Sequence, residues 1–424
     1  MGIRYRLRVM NFLQYFIWGS WLISLGSYLG NTLHFTGGEI GSIFATMGIA
    51  SLFMPGLLGI VADRWVNAER LLAFCHLMGA GLLFWASTVT SSNLMYLILL
   101  FNAMVYMPTI ALNNTVSYHI LEGKSLNIVK DFPPIRVWGT IGFICAMWVV
   151  DLCGWGLSPL QLWVGSISSL LLGIYAFTMP ACPPVKSIQK RSLLSAMGFD
   201  AFVLFRKRKM AVFFIFAMFL GAALQITNTF GQSFLHDFTP TYSNSFAVVH
   251  PGLLMSVSQI SEVLFILAIP FFLHRFGIKR VMMISIFAWI ARFGLFGIGN
   301  PGDGLFLLIL SMIIYGIAFD FFLISGSLFV EMETSPGIRA SAQGLFMIMV
   351  NGIGAFIGGV TSGRVVDYFT HDGIKEWQNI WFTFAAYALI LGLIFPLVFR
   401  YKHKSAILKP TEERLILEES NLLH

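Results

Sequence analysis

The chain has 424 residues, 57% of them hydrophobic and only 11% charged, with 41 Phe and 11 Trp. Soluble domains carry about 25% charged residues, so this composition excludes a soluble globular protein and points to a polytopic membrane protein. The formal net charge of +7 would suit a nucleic-acid binder, but the cations sit in the loops on one side of the apolar runs, which argues for orientation in a bilayer and against nucleic acid.

In chain order, Arg4, Arg6 and Arg8 precede an apolar run without a small-residue cleavage site, which reads as an uncleaved first span and not a signal peptide. Apolar runs then recur over residues 9–30, 38–61, 71–90, 93–118, 134–153, 159–180, 210–231, 251–273, 279–298, 304–330, 339–367 and 379–399. About 20 residues cross the hydrocarbon as a helix, and runs this long without alternation exclude a barrel. The expected fold is an all-α membrane protein of twelve transmembrane helices in two six-helix halves.

Lys and Arg set the topology, because short loops rich in them stay cytoplasmic. Arg64 and Arg70, Lys124 and Lys130, the cluster from Lys186 to Lys209, Arg275 with Lys279 and Arg280, Arg339 and the run from Arg400 to Lys404 all fall on the side of the N-terminus, whereas the opposite loops hold Lys375. Both termini are therefore predicted to be cytoplasmic. The expected organisation is an N-terminal half over 1–180, a basic linker over 181–209, a C-terminal half over 210–400 and a tail over 401–424. A short echo supports the repeat: Pro133-Pro134-Ile135-Arg136 opens the fifth span and Pro336-Gly337-Ile338-Arg339 the eleventh. The four cysteines, Cys75, Cys145, Cys153 and Cys182, show neither CxxC nor paired spacing, so no disulfide framework or metal site is expected.

Polar residues inside spans are costly and call for a reason. Arg136, Thr140 and Phe143 follow i, i+4, i+7 on the fifth span; Gln225 and Asn228 lie three apart on the seventh; Gln259 and Glu262 three apart on the eighth; Tyr315, Phe319 and Asp320 fall within one and a half turns of the tenth. Each set makes one helix face. Aromatic rings, amides and carboxylates together suit a ligand with a flat ring and several hydroxyls, a nucleoside fully and a sugar less so. Gln14, His76, Asn102, Asn113, Asn114, Arg292, Asn351 and Arg364 read mostly as structural, and Gly352-x-Gly354-x-x-x-Gly358 as a close helix contact. No HExxH, GxSxG or His-rich helix suggests an enzyme, and no cofactor is expected.

Gly59-x-x-x-Asp63-Arg64 followed by Arg70 resembles the cytoplasmic signature of the major facilitator superfamily, with Trp65-Val66 where a Gly usually follows. Phe12-Leu13-Gln14-Tyr15-Phe16-Ile17-Trp18-Gly19-Ser20-Trp21, Asp131-Phe132-Pro133-Pro134-Ile135-Arg136 and Phe319-Asp320-Phe321-Phe322 resemble the bacterial nucleoside:proton symporters, and the similarity runs from about Arg6 to Lys402. The resemblance implies a monomer of the bacterial inner membrane that binds a nucleoside between its halves through Arg136, Thr140, Phe143, Gln225, Asn228, Gln259, Glu262, Tyr315, Phe319 and Asp320. Gly59, Asp63, Arg64 and Arg70 would serve gating. Coupling needs a group that is charged in one state and neutral in another; Glu262 is the first choice for the proton and Asp320 the second. A purine-nucleoside or xanthosine permease, or a drug or sugar transporter of the same superfamily, is the alternative.

Overall fold

The computed structural model describes residues 2–184, 199–335 and 337–401. Pro336, most of the basic linker and the tail beyond Tyr401 lie outside the described residues. Helix α1 (Ile3–Gly19) runs into a single turn, Leu25–Ser27, and a π-turn, Tyr28–Thr32. Helix α2 (Gly37–Arg64) starts at a complete capping box, in which the Thr36 hydroxyl accepts from Glu39 N and Glu39 Oε2 accepts from Thr36 N at 2.9 Å. Helices α3 (Ala68–Ala86), α4 (Ser92–Gly123), α5 (Pro133–Leu152) and α6 (Leu160–Ala176) follow. Prolines in the first turn of α5 set the helical φ where no intrahelical N–H bond is lost.

The second set comprises α7 (Arg208–His236), α8 (Pro251–Ile298), α9 (Leu305–Glu333), α10 (Arg339–Met347), α11 (Ala355–Tyr368) and α12 (Trp377–Val398). A π-turn at Ile348–Gly354 joins α10 to α11. Helix α8 breaks at Gly277, whose φ of 74° and ψ of 166° suit glycine alone. Arg292, beyond the break, comes within 3.5 Å of Ser258 before it, so the two arms lie side by side. Eight helices of the described residues are long and apolar enough to cross a membrane. Leu264, Leu267 and Phe271 on α8 and Leu393 and Leu397 on α12 face outward, as a lipid-exposed surface requires.

Helix α1 packs on α5, α2 on α4, and α3 on α6; in the second set α8 packs on α9 and α12, and α7 on α11. The two sets meet along α2–α11 and α5–α8. The α2–α11 contact is backbone against backbone, because a Cβ at Gly359 would lie 2.7 Å from Gly41 O and 2.9 Å from Ala45 N. Between helices surrounded by lipid, small residues allow this approach and the dispersion contacts it brings. The expected close packing through Gly354 and Gly358 is present too, against α7 at Gly221 and Ala222.

Hydrogen bonds between the sets gather at one end of the bundle. Asp367, near the end of α11, accepts from Gly37 N at 2.6 Å and Gly38 N at 2.7 Å in the first turn of α2. Asp151, near the end of α5, accepts from Gly252 N at 2.7 Å in the first turn of α8, and its other oxygen lies 2.9 Å from His250 Nδ1. Asn31 Nδ2 donates to Asp237 at 3.0 Å, and Trp148 Nε1 to Ser256 at 2.9 Å.

Candidate functional site

The polar residues of α5, α8 and α9 converge where α5 meets α8. Gln259 and Glu262, three apart, share the half-buried face of α8, opposite the exposed Ile260 and Leu264. Glu262 interacts electrostatically with Arg136 across the interface between the two helix sets, and with Asp320 on α9. Tyr315 neighbours Gln259, Glu262 and Asp320. Its ring stacks on Phe319 with centroids 5.8 Å apart and planes 14° from parallel, the geometry that residues four apart on a helix allow. Ser261, between Gln259 and Glu262, turns to the other face and donates to the Ile313 carbonyl, where Gly316 lets α8 and α9 close up.

Six of the ten residues expected from the sequence, Arg136, Gln259, Glu262, Tyr315, Phe319 and Asp320, thus form one connected cluster. Phe143 packs edge to face on Trp18 at 6.4 Å, and Trp18 in turn packs on Tyr106, which interacts electrostatically with Arg136. Among the described residues the side chains of Thr140, Gln225 and Asn228 make no hydrogen bond or ring contact with the cluster. Gln225 is buried with Nε2 unpartnered, as is Asp320 Oδ2. Buried polar atoms without a partner cost roughly 1–3 kcal/mol each. A small hollow between Leu220, Leu224, Trp289, Phe319 and Phe322 is apolar; it adjoins the aromatic side of the cluster and not its carboxylates.

Three contributors escaped the sequence reading. Tyr15 on α1 places its ring 4.0 Å from the Arg136 guanidinium carbon. Trp18, one turn on, is half-buried with its indole N–H unpartnered. Arg292 was expected to be structural, and it does anchor α8 to α9 by donating to the Ser311 carbonyl at 2.8 Å. Its guanidinium also lies 4.6 Å from the Tyr315 ring centre, beneath a cluster residue. Tyr15 and Trp18 fall within the aromatic segment Phe12 to Trp21, but nothing in the spacing couples that segment to Arg136.

Gln14, His76 and Asn113, expected to be structural, sit in buried hydrogen-bonded positions. Gln14 donates to Thr109 at 2.7 Å and lies 2.8 Å from His76 Nε2, while Asn113 donates to Asn11 at 2.9 Å. At the α2–α3 junction Asp63, Arg64 and Arg70 are exposed, and a Cβ at Gly59 would meet open space. Packing therefore does not require a glycine there.

A family model described as nucleoside H+ symporter matches residues 1–404. The chain belongs to the nucleoside:proton symporter family. Xanthosine permease of Escherichia coli is 57% identical over 95% of this chain and 97% of its own. Nucleoside permease NupG of the same organism is 53% identical with the same coverage. The crystal structure of nucleoside transporter NupG superimposes with a TM-score of 0.90, covering 95% of this chain and all of that one at 53% identity. A bacterial homologue of the lysosomal transporter Spinster, 15% identical, matches with a TM-score of 0.70 over 94% of this chain and 97% of its own, a likeness of fold. This member of the family is a mostly helical, multi-pass membrane protein with the fold of these transporters, and its relatives are permeases and not enzymes.

Proposed function

We propose that the protein carries nucleosides into the cell together with protons, by alternating access. The observation that supports this reading is the electrostatic interaction between Glu262 and Arg136 across the interface between the helix sets, with Gln259, Tyr315 and Asp320 alongside. In this reading the chain crosses the bacterial inner membrane twelve times as two six-helix halves, residues 1–180 and 210–400, joined by the basic linker 181–209. Both termini are cytoplasmic and the protein works as a monomer. The side bearing Asp151 and Asp367 is then the outside, and the hydrogen bonds there support an inward-facing conformation.

The nucleoside base stacks against Tyr315 and Phe319 and is read along its edge by Gln225, Asn228 and Gln259, while Arg136, Thr140 and Phe143 complete the site from the first half. Sugar hydroxyls donate to carboxylate oxygens, for which the unpartnered Asp320 Oδ2 is suited. Glu262 is the proton carrier, with Asp320 its alternate. Neutral Glu262 removes its attraction to Arg136 and lets the halves rock; ionised Glu262 restores it. An inward proton supplies about 2.3 kcal/mol per 100 mV from the electrical part of the gradient alone. The cytoplasmic signature Gly59, Asp63, Arg64 and Arg70 serves the inner gate.

A preference for xanthosine and other purine nucleosides is the second reading, favoured by the higher identity to xanthosine permease than to NupG. Uptake into proteoliposomes of uridine, adenosine and xanthosine at two external pH values tests both. Proton-coupled uptake predicts accumulation that rises with external acidity and collapses with a protonophore. Accumulation indifferent to both contradicts it.

A further inference from the structure

We infer that Tyr15 is the positioning residue for Arg136, and that Gly139 keeps open the space in which the two meet. The inference rests on the role given to Arg136 under the proposed function. Arg136 is half-buried and, among the described residues, makes no ion pair with a carboxylate of its own helix set; what lies over its guanidinium is the Tyr15 ring, at 4.0 Å. A guanidinium is planar and weakly hydrated, so a ring face can hold it in one orientation while its edge donors stay free. Tyr15 is buried, so water competes poorly with that attraction.

Gly139 completes the arrangement. It lies three residues from Arg136 on α5, and a Cβ there would stand 2.6 Å from Tyr15 Cδ2 and 2.7 Å from Arg136 Nη1. Even a methyl group would push the ring and the guanidinium from their contact. Tyr15 also interacts electrostatically with Glu262, so ring, guanidinium and carboxylate form a single group spanning α1, α5 and α8. The ring face turned to Arg136 is occupied and cannot stack on a ligand; what Tyr15 does through that face, it does through Arg136.

Substitution separates a ring-face role from simple filling of space. In purified full-length protein, the Kd for uridine and for xanthosine is measured by calorimetry for Arg136→Ala, Tyr15→Phe, Tyr15→Trp, Tyr15→Leu, Tyr15→Met and Gly139→Ala. Elution profile and melting temperature identify the folded variants; the Leu and Met forms stand in for each other if one does not fold. Arg136→Ala is expected to weaken binding at least roughly ten-fold. Tyr15→Phe and Tyr15→Trp keep the face and stay within about two-fold. Tyr15→Leu, Tyr15→Met and Gly139→Ala lose or displace it and weaken binding roughly ten-fold, the scale of a desolvated cation–π contact. Tyr15→Leu combined with Arg136→Ala weakens it no further than Arg136→Ala alone.

If Arg136→Ala weakens binding while the aliphatic Tyr15 variants and Gly139→Ala do not, Tyr15 merely fills space and the inference is overturned. A Tyr15→Phe as damaging as Tyr15→Leu also overturns it, because the hydroxyl and not the face would then matter. An Arg136→Ala that binds normally removes Arg136 from the site and overturns the functional reading itself.

Discussion

Asp151 and Asp367 hold matching posts in the two helix sets. Each is the penultimate residue of its helix, and each accepts backbone N–H groups from the first turn of a helix in the other set, Gly252 for Asp151, Gly37 and Gly38 for Asp367. Glycine at the receiving end lets the carboxylate in, since a Cβ at Gly252 or Gly37 would stand 2.8 Å from a carboxylate oxygen. A carboxylate is also favoured at a helix N-terminus by the unpaired N–H groups and their dipole. Hydrogen bonds to a charged acceptor contribute about 1.5–3 kcal/mol, so losing both clasps should open this end. The check is a cysteine at Ser24, which lines a hollow beside Asp151 and Gly252, in a variant lacking the native cysteines. Asp151→Ala with Asp367→Ala should raise its labelling by an impermeant maleimide several-fold; an unchanged rate means the clasps do not hold the closure.

The stacked pair Tyr315 and Phe319 offers the aromatic wall of the site. Aromatic stacking contributes about 0.5–1.5 kcal/mol beyond burial. Phe319→Leu should therefore raise the KM for nucleoside uptake about three- to ten-fold with expression unchanged, as measured by initial rates in cells. Tyr315→Phe should cost less, because it keeps the ring and gives up only the hydroxyl beside Gln259.

Stability should be sensitive where α2 and α11 touch through glycine. A leucine at Gly359 must displace Gly41 and Ala45 backbone, and overpacking of this kind costs about 1–3 kcal/mol. Thermal unfolding in detergent should show a lower melting temperature for Gly359→Leu. The same substitution at Gly294, where an added Cβ meets open space, should leave it nearly unchanged.

Thiol chemistry gives a pH-dependent check outside the spans. Burial, with the Glu69 carboxylate second, pushes the Cys182 thiol up to about 12, and Glu69 Oε2 accepts from Cys182 N at 2.8 Å. A raised thiol pKa means the unreactive neutral form persists throughout the neutral and mildly alkaline range. Maleimide at pH 7 to 9 should therefore modify the exposed Cys153 and spare Cys182, as read by mass spectrometry of peptides. Ready modification of Cys182 at pH 7 would contradict its burial against Glu69.

The helices were largely legible because lipid leaves the backbone so few choices: most expected spans coincide with helices, but the first, 9–30, is interrupted between Gly19 and Leu25, and the expected reversal between 273 and 279 is the Gly277 break inside α8. Helical spacing also exposed the site in part. Gln259 with Glu262, and Tyr315 with Phe319, share faces by periodicity, and the rings of Tyr315 and Phe319 do stack. What periodicity cannot carry is pairing between distant helices. Tyr15 against Arg136, Arg292 beneath Tyr315, and Asp151 and Asp367 on helix N-termini join residues of different helices, so only the packed structure reveals them.

The central claim is that a proton on Glu262 drives the substrate. Its most direct test is Glu262→Gln in proteoliposomes, with nucleoside accumulation under an imposed pH gradient measured beside nucleoside exchange at equal pH. The account predicts that the variant loses accumulation and keeps exchange, since the permanently neutral amide still allows the loaded halves to rock. Full pH-driven accumulation in Glu262→Gln, and likewise in Asp320→Asn, would contradict it.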